Sequence, residues 1–202
     1  MTKILKLLIG TNNKGKLKEI RDLLPKYIKT YSTADYNLKS PREDGLTFEE
    51  NSLIKSKYFS KKSKLICLAD DSGLEIDILN KDPGIYSARY AGEGASDLDN
   101  RNKIIEELNK LNLKSLPAYY VCVLVGVHSA DDPMPIFSSG EIHGDISTEA
   151  SGEGGFGYDK LFYPYGYNIS MATMDPNEKN RISHRAIATN IFLEKLENIR
   201  AK

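Results

Sequence analysis

The chain has 202 residues, of which 40% are hydrophobic and 28% are charged, and its 28 basic residues balance its 28 acidic residues. A chain of this length buries most of the surface that its unfolded state exposes, so we expect one domain, or two closely joined lobes, that folds without external staples. The charge balance argues against a general nucleic-acid binder, because such proteins usually carry a concentrated basic face. Recognition of phosphate is therefore expected to be local.

The two cysteines and the length of the apolar runs indicate the compartment. Cys67 and Cys122 each lie inside an apolar run, which predicts buried, reduced thiols and not a secreted disulfide framework. The apolar stretch at residues 4–9 is shorter than the core of a signal peptide, and no run approaches the length that crosses a bilayer. We expect a cytoplasmic protein that does not interact with membranes.

The first predicted elements are a strand, a loop and a helix. Residues 4–9 form an apolar run that ends at Gly10, which is typical of a buried strand that leads into a loop. Apolar residues then recur at helical spacing from Leu17 to Leu24, and Pro25 ends the pattern. The loop between them has the size of a phosphate-binding loop.

The middle of the chain predicts a second helix and two short strands. Residues 33–46 read as a loop, and the sequence Thr-Phe-Glu-Glu at 47–50 is a capping box for a helix that runs to about Lys62. Residues 65–69 and 74–79 read as strands that are interrupted by a turn at 70–73.

The second half continues the alternation of helices and strands. Residues 83–90 are expected to form a loop and residues 97–112 a helix, whereas residues 119–127 are the most apolar run and predict a central strand. A strand at 136–142 completes a predicted hairpin. A last helix carries five apolar residues on one face, namely Ile187, Ile191, Phe192, Leu196 and Ile199. We therefore predict an α/β fold with a mixed β-sheet flanked by helices.

The loop after the first strand is a candidate phosphate site. Gly10, Gly15 and Lys16 match part of a P-loop, but Leu17 stands where that motif requires a metal-binding Ser or Thr, so the full motif is absent. Unpaired amides at a helix N-terminus and the ammonium groups of Lys14 and Lys16 would still favour a polyphosphate. A Gly/Asn turn with solvated lysines is the alternative.

Acidic residues in the middle of the chain are candidates for binding a metal. Asp70 and Asp71 would point to opposite faces of an extended strand, whereas a turn at residues 72–73 would bring both toward one pocket. Carboxylate oxygens suit Mg²⁺, which also bridges to substrate phosphates. Glu43 and Lys55, near the start of the second helix, are further candidates. An ordinary Asp-Asp-Ser-Gly turn and a solvated lysine face are the alternatives.

Two later segments are suited to a nucleobase. The glycine-rich loop at residues 152–159 carries Phe156, whose ring can stack on a base or simply anchor the loop to the core. Ser183, His184 and Arg185 offer donors to a 6-oxo group of a purine, which would disfavour the 6-amino group of adenine. The alternative for this segment is a polar helix start with His184 bonded locally.

Taken together, these strings resemble the inosine triphosphate pyrophosphatase family over almost the whole chain. Six strings match in order, and any one of them alone is only modestly specific. They are residues 11–16, 45–51, 69–74, 83–90, 154–159, and 178–180 with 183–186.

The resemblance implies an elongated mixed α/β fold with two lobes around a central cleft, a homodimer and dependence on Mg²⁺. It also implies hydrolysis of the nucleoside triphosphates ITP, dITP and XTP to the monophosphate and pyrophosphate. Asp71 would be the acid/base residue and a metal ligand, with Asp70 and Glu43 as further metal ligands. The implied substrate-binding residues are Thr11, Asn13, Lys14, Lys16, Lys55, Ser72, Phe156, Gly157, Tyr158, Asp159, Lys179, His184 and Arg185.

The chain departs from the family pattern at two positions. Arg42 stands where the family often has the first of two acidic residues, which makes Glu43 the candidate for the second metal carboxylate. Lys160 follows Asp159 where the family usually has Pro, which alters the stiffness of the loop and removes no ligand.

Two other functions are compatible with parts of the pattern. A related pyrophosphatase group acts on modified pyrimidine nucleotides and shares the opening loop, but residues 156–159 and 183–185 argue against it. A nucleotide sensor without turnover would need the same binding residues, and the presence of both Asp70 and Asp71 favours catalysis over it.

Overall fold

Six strands and five α-helices make up the regular structure of residues 4–200, which are the residues that the computed structural model describes. The strands are β1 (Leu5–Gly10), β2 (Ile28–Ser32), β3 (Ile66–Glu75), β4 (Ser115–Val127), β5 (Ile136–Ser147) and β6 (Phe162–Pro164). The helices are α1 (Lys14–Leu23), α2 (Phe48–Ser63), α3 (Asp97–Lys110), α4 (Pro176–Ile182) and α5 (His184–Arg200).

All six strands belong to one sheet in the order β2-β1-β3-β4-β5-β6. β1 pairs parallel with both of its neighbours, with Leu5 opposite Ile28 and Leu7 opposite Ile66. β6 pairs antiparallel with β5, with Gly144 opposite Pro164. The prediction of an α/β fold with a mixed sheet is therefore confirmed.

The chain divides into two compact units, and each has its own hydrophobic core. Among the described residues, unit 1 contains 4–71, 122–140 and 184–200, and unit 2 contains 72–121 and 141–183. The core of unit 1 includes Leu7, Leu68, Leu124 and Phe192. The core of unit 2 includes Leu74, Ile104, Leu108, Tyr120, Leu161 and Phe162.

The start of α2 shows how the sequence sets the local structure. Thr47 is the N-cap, and its hydroxyl accepts a hydrogen bond from the N–H of Glu50, as the predicted capping box requires. The Glu50 carboxylate, however, accepts from the N–H of Leu46 at 2.6 Å, and Asn51 Oδ1 accepts from that of Gly45 at 2.9 Å. These two bonds fold the preceding loop back onto the first turn of the helix.

The predicted turn at residues 70–73 is wrong. β3 continues without a break from Ile66 to Glu75 and includes both aspartates. The pairing of β1 with this strand extends to Gly10 opposite Ala69, and a short 3-10 helix follows at Asp77–Leu79 in place of the end of the second predicted strand. Polar residues on a central strand are tolerated because their side chains find ionic partners.

Other differences concern short elements. β2 and β6 were not predicted, since strands of five and three residues give little periodicity to read. The predicted loop at 83–90 contains a 3-10 helix at Gly84–Arg89. β4 begins earlier than predicted, at Ser115, and β5 ends later than predicted, at Ser147.

The state of the two thiols and the length and polarity of the helices agree with the expectations from the sequence. Cys67 and Cys122 are buried and unbridged, as predicted. Within residues 4–200, every helix is too short or too polar to cross a bilayer.

Candidate active site

The loop between β1 and α1 carries the first group of predicted phosphate-binding residues. Asn13 is the N-cap of α1, and its Oδ1 accepts hydrogen bonds from the N–H groups of Gly15 at 2.8 Å and Lys16 at 3.1 Å. The prediction that the amides here are unpaired is wrong for these two, because a side chain of the loop itself satisfies them. Thr11 is buried and its hydroxyl accepts from the N–H of Asn13 at 3.2 Å, whereas Lys14 is exposed.

Asp70 lies in a fully buried, positively charged environment. Its carboxylate contacts Lys16 Nζ at 2.8 Å and Arg185 Nε at 3.3 Å, and the Cys122 thiol donates to it at 3.3 Å. Burial alone would raise the pKa of Asp70, but the two cations outweigh burial and hold the pKa well below its usual range. Asp70 is therefore ionised and fixes the side chain of Lys16.

Asp71 faces a different set of partners, since successive side chains of a strand point to opposite sides. Lys55 Nζ, from α2, donates to Asp71 Oδ1 at 2.7 Å and to Glu43 Oε2 at 2.7 Å. Burial raises the pKa of Asp71, and the carboxylate of Glu43 acts in the same direction, against Lys55 and Lys16. Within residues 4–200, the buried Asp71 Oδ2 has no hydrogen-bond partner.

Lys55 joins the two carboxylates while it remains charged. The residue is buried, and burial by itself would lower its pKa, but Asp71 and Glu43 more than compensate and the pKa is raised. Lys55 is thus a charged group fixed between two carboxylates, and its predicted contact with a substrate phosphate stays a prediction.

Arg185 and His184 begin α5 and are buried. Arg185 pairs with Asp70 on one side and with Glu19 of α1 on the other. Burial would lower the pKa of Arg185, but Asp70 and Glu19 raise it. The structure thus places the guanidinium in an ion-pair network, and the predicted contacts of Arg185 and His184 with a base stay predictions.

Three distant parts of the sequence meet in unit 1. Lys16 comes from the first turn of α1, Asp70 from β3 and Arg185 from the start of α5, and Asp70 contacts both of the others. Sequence reasoning missed Glu19 and the thiol of Cys122. Glu19 lies three residues after Lys16, on the same side of a helix, so its helical position was a usable indication.

The remaining predicted substrate residues lie in unit 2. In the glycine-rich loop (residues 152–159), Asp159 Oδ2 accepts from the N–H of Phe156 at 2.9 Å and pairs with Lys179 Nζ at 2.6 Å. The Lys179 ammonium also lies 5.1 Å from the centroid of the Phe156 ring. Ser72 lies half-buried on β3, and the buried Tyr158 donates to the carbonyl of Ser87 at 2.7 Å.

The predicted metal ligands fit a cation unequally. Asp71 has a buried oxygen without a hydrogen-bond partner among the described residues, and Glu43 shares Lys55 with it. Mg²⁺ in proteins is usually bound by one or two carboxylates together with substrate phosphates and waters, so this pair fits it. Asp70 is engaged by Lys16 and Arg185, and residues 4–200 contain no cluster of three or more metal-type side chains.

Comparison with known proteins identifies relatives over nearly the full length. A dITP/XTP pyrophosphatase of Haemophilus influenzae is 43% identical over 192 residues, which cover 95% of this chain and 98% of the relative. A dITP/XTP pyrophosphatase of Pseudomonas syringae is 45% identical over 190 residues, which cover 94% and 96%.

Two solved structures have the same fold as this chain over nearly its full length. A HAM1 protein from Coxiella burnetii superimposes with a TM-score of 0.87 at 36% identity, covering 96% of this chain and 99% of that one. The Ham1 protein of Staphylococcus aureus gives a TM-score of 0.81 at 36% identity, covering 96% and 98%. The model of the Ham1 family matches residues 7–195. The chain therefore belongs to the Ham1 family.

Proposed function

We propose that this protein hydrolyses deaminated purine nucleoside triphosphates, namely dITP, XTP and ITP, to the monophosphate and pyrophosphate. The names of relatives that are 43% and 45% identical over nearly the whole chain support this substrate class. The observation that carries the proposal is the buried Asp71 carboxylate beside Lys55, with one oxygen that has no hydrogen-bond partner within residues 4–200. That oxygen is suited to holding a water molecule or a cation against a phosphate.

In the mechanism, a water molecule attacks the α-phosphorus while Asp71 orients it and accepts its proton. The bond from the water oxygen to phosphorus forms, and the bond from phosphorus to the oxygen that bridges to the β-phosphate breaks. A raised pKa suits this role, because a general base works best when its pKa lies nearer the operating pH.

Lys16 and Lys55 stabilise the pyrophosphate that leaves. Both ammonium groups are already held in place by carboxylates, at 2.8 Å from Asp70 and at 2.7 Å from Asp71. Groups that are fixed before the reaction cost no reorganisation while charge develops on the leaving oxygen. Fixed positive charge thus supplies much of the expected acceleration.

Asp71 and Glu43 would hold Mg²⁺, and Asp70 stays a weaker candidate because it faces two cations. When bound, Mg²⁺ neutralises phosphate charge and acts as a Lewis acid. Dialysis against EDTA should abolish turnover, and added Mg²⁺ should restore it. Full activity after complete chelation would remove the metal from the proposal.

Base selection is assigned to His184 and Arg185 as donors to a 6-oxo group, and to Phe156 as a stacking partner. Adenine would set its 6-amino group against these donors, and an unsatisfied buried polar group costs about 1–3 kcal/mol. One or two such mismatches correspond to tens- to thousands-fold rejection of ATP. The ratio of kcat/KM for ITP to kcat/KM for ATP measures this rejection directly, because the two nucleotides share the same sugar.

The proposal also includes a homodimer in the cytoplasm. Light scattering coupled to size-exclusion chromatography reports the mass in solution, and a monomer at micromolar concentration would contradict the dimer.

The test of the proposed function is product analysis by ³¹P NMR with dITP and Mg²⁺. We expect dIMP and pyrophosphate in equal amounts from the wild type. Binding of dITP without any product would indicate a nucleotide sensor, and release of orthophosphate would indicate a different phosphohydrolase.

A further inference from the structure

The glycine-rich loop (residues 152–159) depends on partners outside itself to keep one conformation. Four of the six residues 152–157 are glycine, and Gly155 and Gly157 have positive φ angles of 70° and 58°. Glycine loses more conformational freedom on ordering than any other residue and brings no side chain to pack. The position of the Phe156 ring therefore depends on hydrogen bonds to the neighbouring backbone.

Helix α3 supplies two such bonds to a single residue. The N–H of Gly157 donates to Asp97 Oδ2 at 2.7 Å, and the carbonyl of Gly157 accepts from Arg101 Nη1 at 2.8 Å. Asp97 and Arg101 are four residues apart, so they lie one turn apart on the same face of the helix. The acidic side chain of Asp97 thus holds the N–H of Gly157, and the basic side chain of Arg101 holds its carbonyl group.

The first turn of α3 is itself well fixed. Ser96 and Asp99 form a capping box in which each side chain bonds the backbone of the other. The buried Asn100 accepts from the N–H of Ala91 at 2.8 Å and donates to the carbonyl of Ala88 at 3.2 Å. Asp97 and Arg101 therefore extend from a rigid element to a loop that lacks rigidity of its own.

A second set of contacts, from Asp159 and Lys179, holds Phe156 itself. The Asp159 carboxylate accepts a hydrogen bond from the N–H of Phe156, and the ammonium group of Lys179 lies within cation–π range of the Phe156 ring. Asp159 thus holds the backbone of Phe156 and α3 holds that of Gly157, so the backbone that carries the ring is fixed at two successive residues within unit 2.

We propose that Asp97 and Arg101 are positioning residues for the nucleobase. They hold the Phe156 ring where a purine stacks on it. They do not contact the base themselves, and they act on its binding only through the position of that ring. This inference rests on the proposed function and names the residues that set its base recognition. Loosening the loop weakens binding of the nucleoside and leaves binding of inorganic phosphates unchanged.

The test uses the full chain with Asp97→Ala and Arg101→Ala, each measured in three ways. Steady-state kinetics with dITP should show KM raised about tenfold and kcat within about twofold of wild type, since the lost bonds involve charged groups. Calorimetry should show about the same loss in affinity for IMP. Affinity for inorganic tripolyphosphate should stay at the wild-type value.

Control variants separate positioning from general stability. Asp97→Asn keeps an acceptor and Arg101→Lys keeps a donor, so both should recover part of the lost affinity for IMP. Glu106→Ala changes an exposed acid on the same helix and should leave all three measurements unchanged. These conservative variants also serve if an alanine variant does not fold.

Several outcomes would overturn the inference. An unchanged KM and IMP affinity in both alanine variants would do so, as would equal losses for IMP and tripolyphosphate, or a fall in kcat alone. Wild-type protein that binds IMP but does not hydrolyse dITP would defeat the proposed function and leave the binding comparison intact. Wild-type protein that does not bind IMP would overturn the inference itself.

Discussion

At the scale of single residues, Asp71 is the side chain on which the chemistry depends. Asp71→Asn keeps the shape of the side chain but removes the base, so we expect turnover of dITP to fall by roughly 10²–10⁴-fold. The thermal midpoint should change little, because the amide still reaches Lys55. Initial rates and a melting curve measure both effects. Wild-type turnover in this variant would remove Asp71 from the mechanism.

The role proposed for Lys16 in binding the triphosphate can be tested with the neighbouring Lys18 as the control. Lys16→Ala removes a partly buried ammonium that lies 2.8 Å from Asp70, and we expect triphosphate affinity to fall about tenfold or more, with a much smaller effect on monophosphate. Isothermal titration with dITP and dIMP in the Asp71→Asn background measures this without turnover.

The matched control is Lys18→Ala on the same helix. Lys18 is exposed and pairs with Asp22 at 2.7 Å, so its removal should leave both affinities unchanged. Equal losses for dITP and dIMP in Lys16→Ala would count against a role in binding the phosphate chain.

At the scale of elements, the close approach of α5 to β5 requires a glycine. A Cβ added at Gly140 would lie 2.3 Å from the carbonyl oxygen of His184 and 2.6 Å from the backbone nitrogen of Ala188. Both atoms belong to the helix backbone, so Gly140→Ala must displace the start of α5. We expect a loss of about 1–3 kcal/mol in the free energy of unfolding, measured by urea denaturation.

Ser139→Ala provides the control for this change, since Ser139 is exposed on the same strand. It should leave the unfolding free energy within about 0.5 kcal/mol of wild type. A Gly140→Ala variant as stable as wild type would show that α5 accommodates the methyl group, and the position of Arg185 would then be less constrained than these contacts indicate.

The N-terminus of α3 gives a second element-scale prediction. Ser96→Ala removes an N-cap and should cost about 1 kcal/mol of stability at pH 7. Hydrogen bonds from the Ser96 side chain and backbone lower the pKa of Asp99. A depressed carboxyl pKa stabilises the fold above the unfolded-state value and loses this effect as the pH falls through the folded-state value.

The difference in stability between wild type and Ser96→Ala should therefore shrink as the pH is lowered from 4 toward the depressed pKa of Asp99. NMR titration of the Asp99 carboxyl should show its pKa move up in the variant. An unchanged pKa of Asp99 would mean that the capping box does not set it, and Asn102→Ala on the exposed face of the helix is the control.

At the scale of the whole molecule, the sequence predicted the long elements and the family, but not the path of the central strand. Apolar periodicity and the cap at Thr47 placed α2 to within a residue. The interruption predicted at Asp70 and Asp71 was wrong, because a polar pair on a buried strand looks like a turn until its cations are known. Those cations, Lys16, Lys55 and Arg185, come from elements far apart in sequence.

The types of residue in the candidate site were predictable from the sequence, but the ion pairs that they form with one another were not. The sequence indicated carboxylates, lysines and an arginine for phosphate chemistry, but only the extended strand decides that Asp70 meets Lys16 while Asp71 meets Lys55. Glu19 shares a face of α1 with Lys16, which is a local pattern, but its pairing with Arg185 depends on the packing of α5 against α1. Long-range ion pairs of this kind require the fold.

The most direct measurement of the central claim is hydrolysis of dITP in H₂¹⁸O with Mg²⁺, followed by mass spectrometry of both products. Attack of water on the α-phosphorus predicts one ¹⁸O in dIMP and none in pyrophosphate. Label in pyrophosphate, or orthophosphate in place of pyrophosphate, would contradict the account.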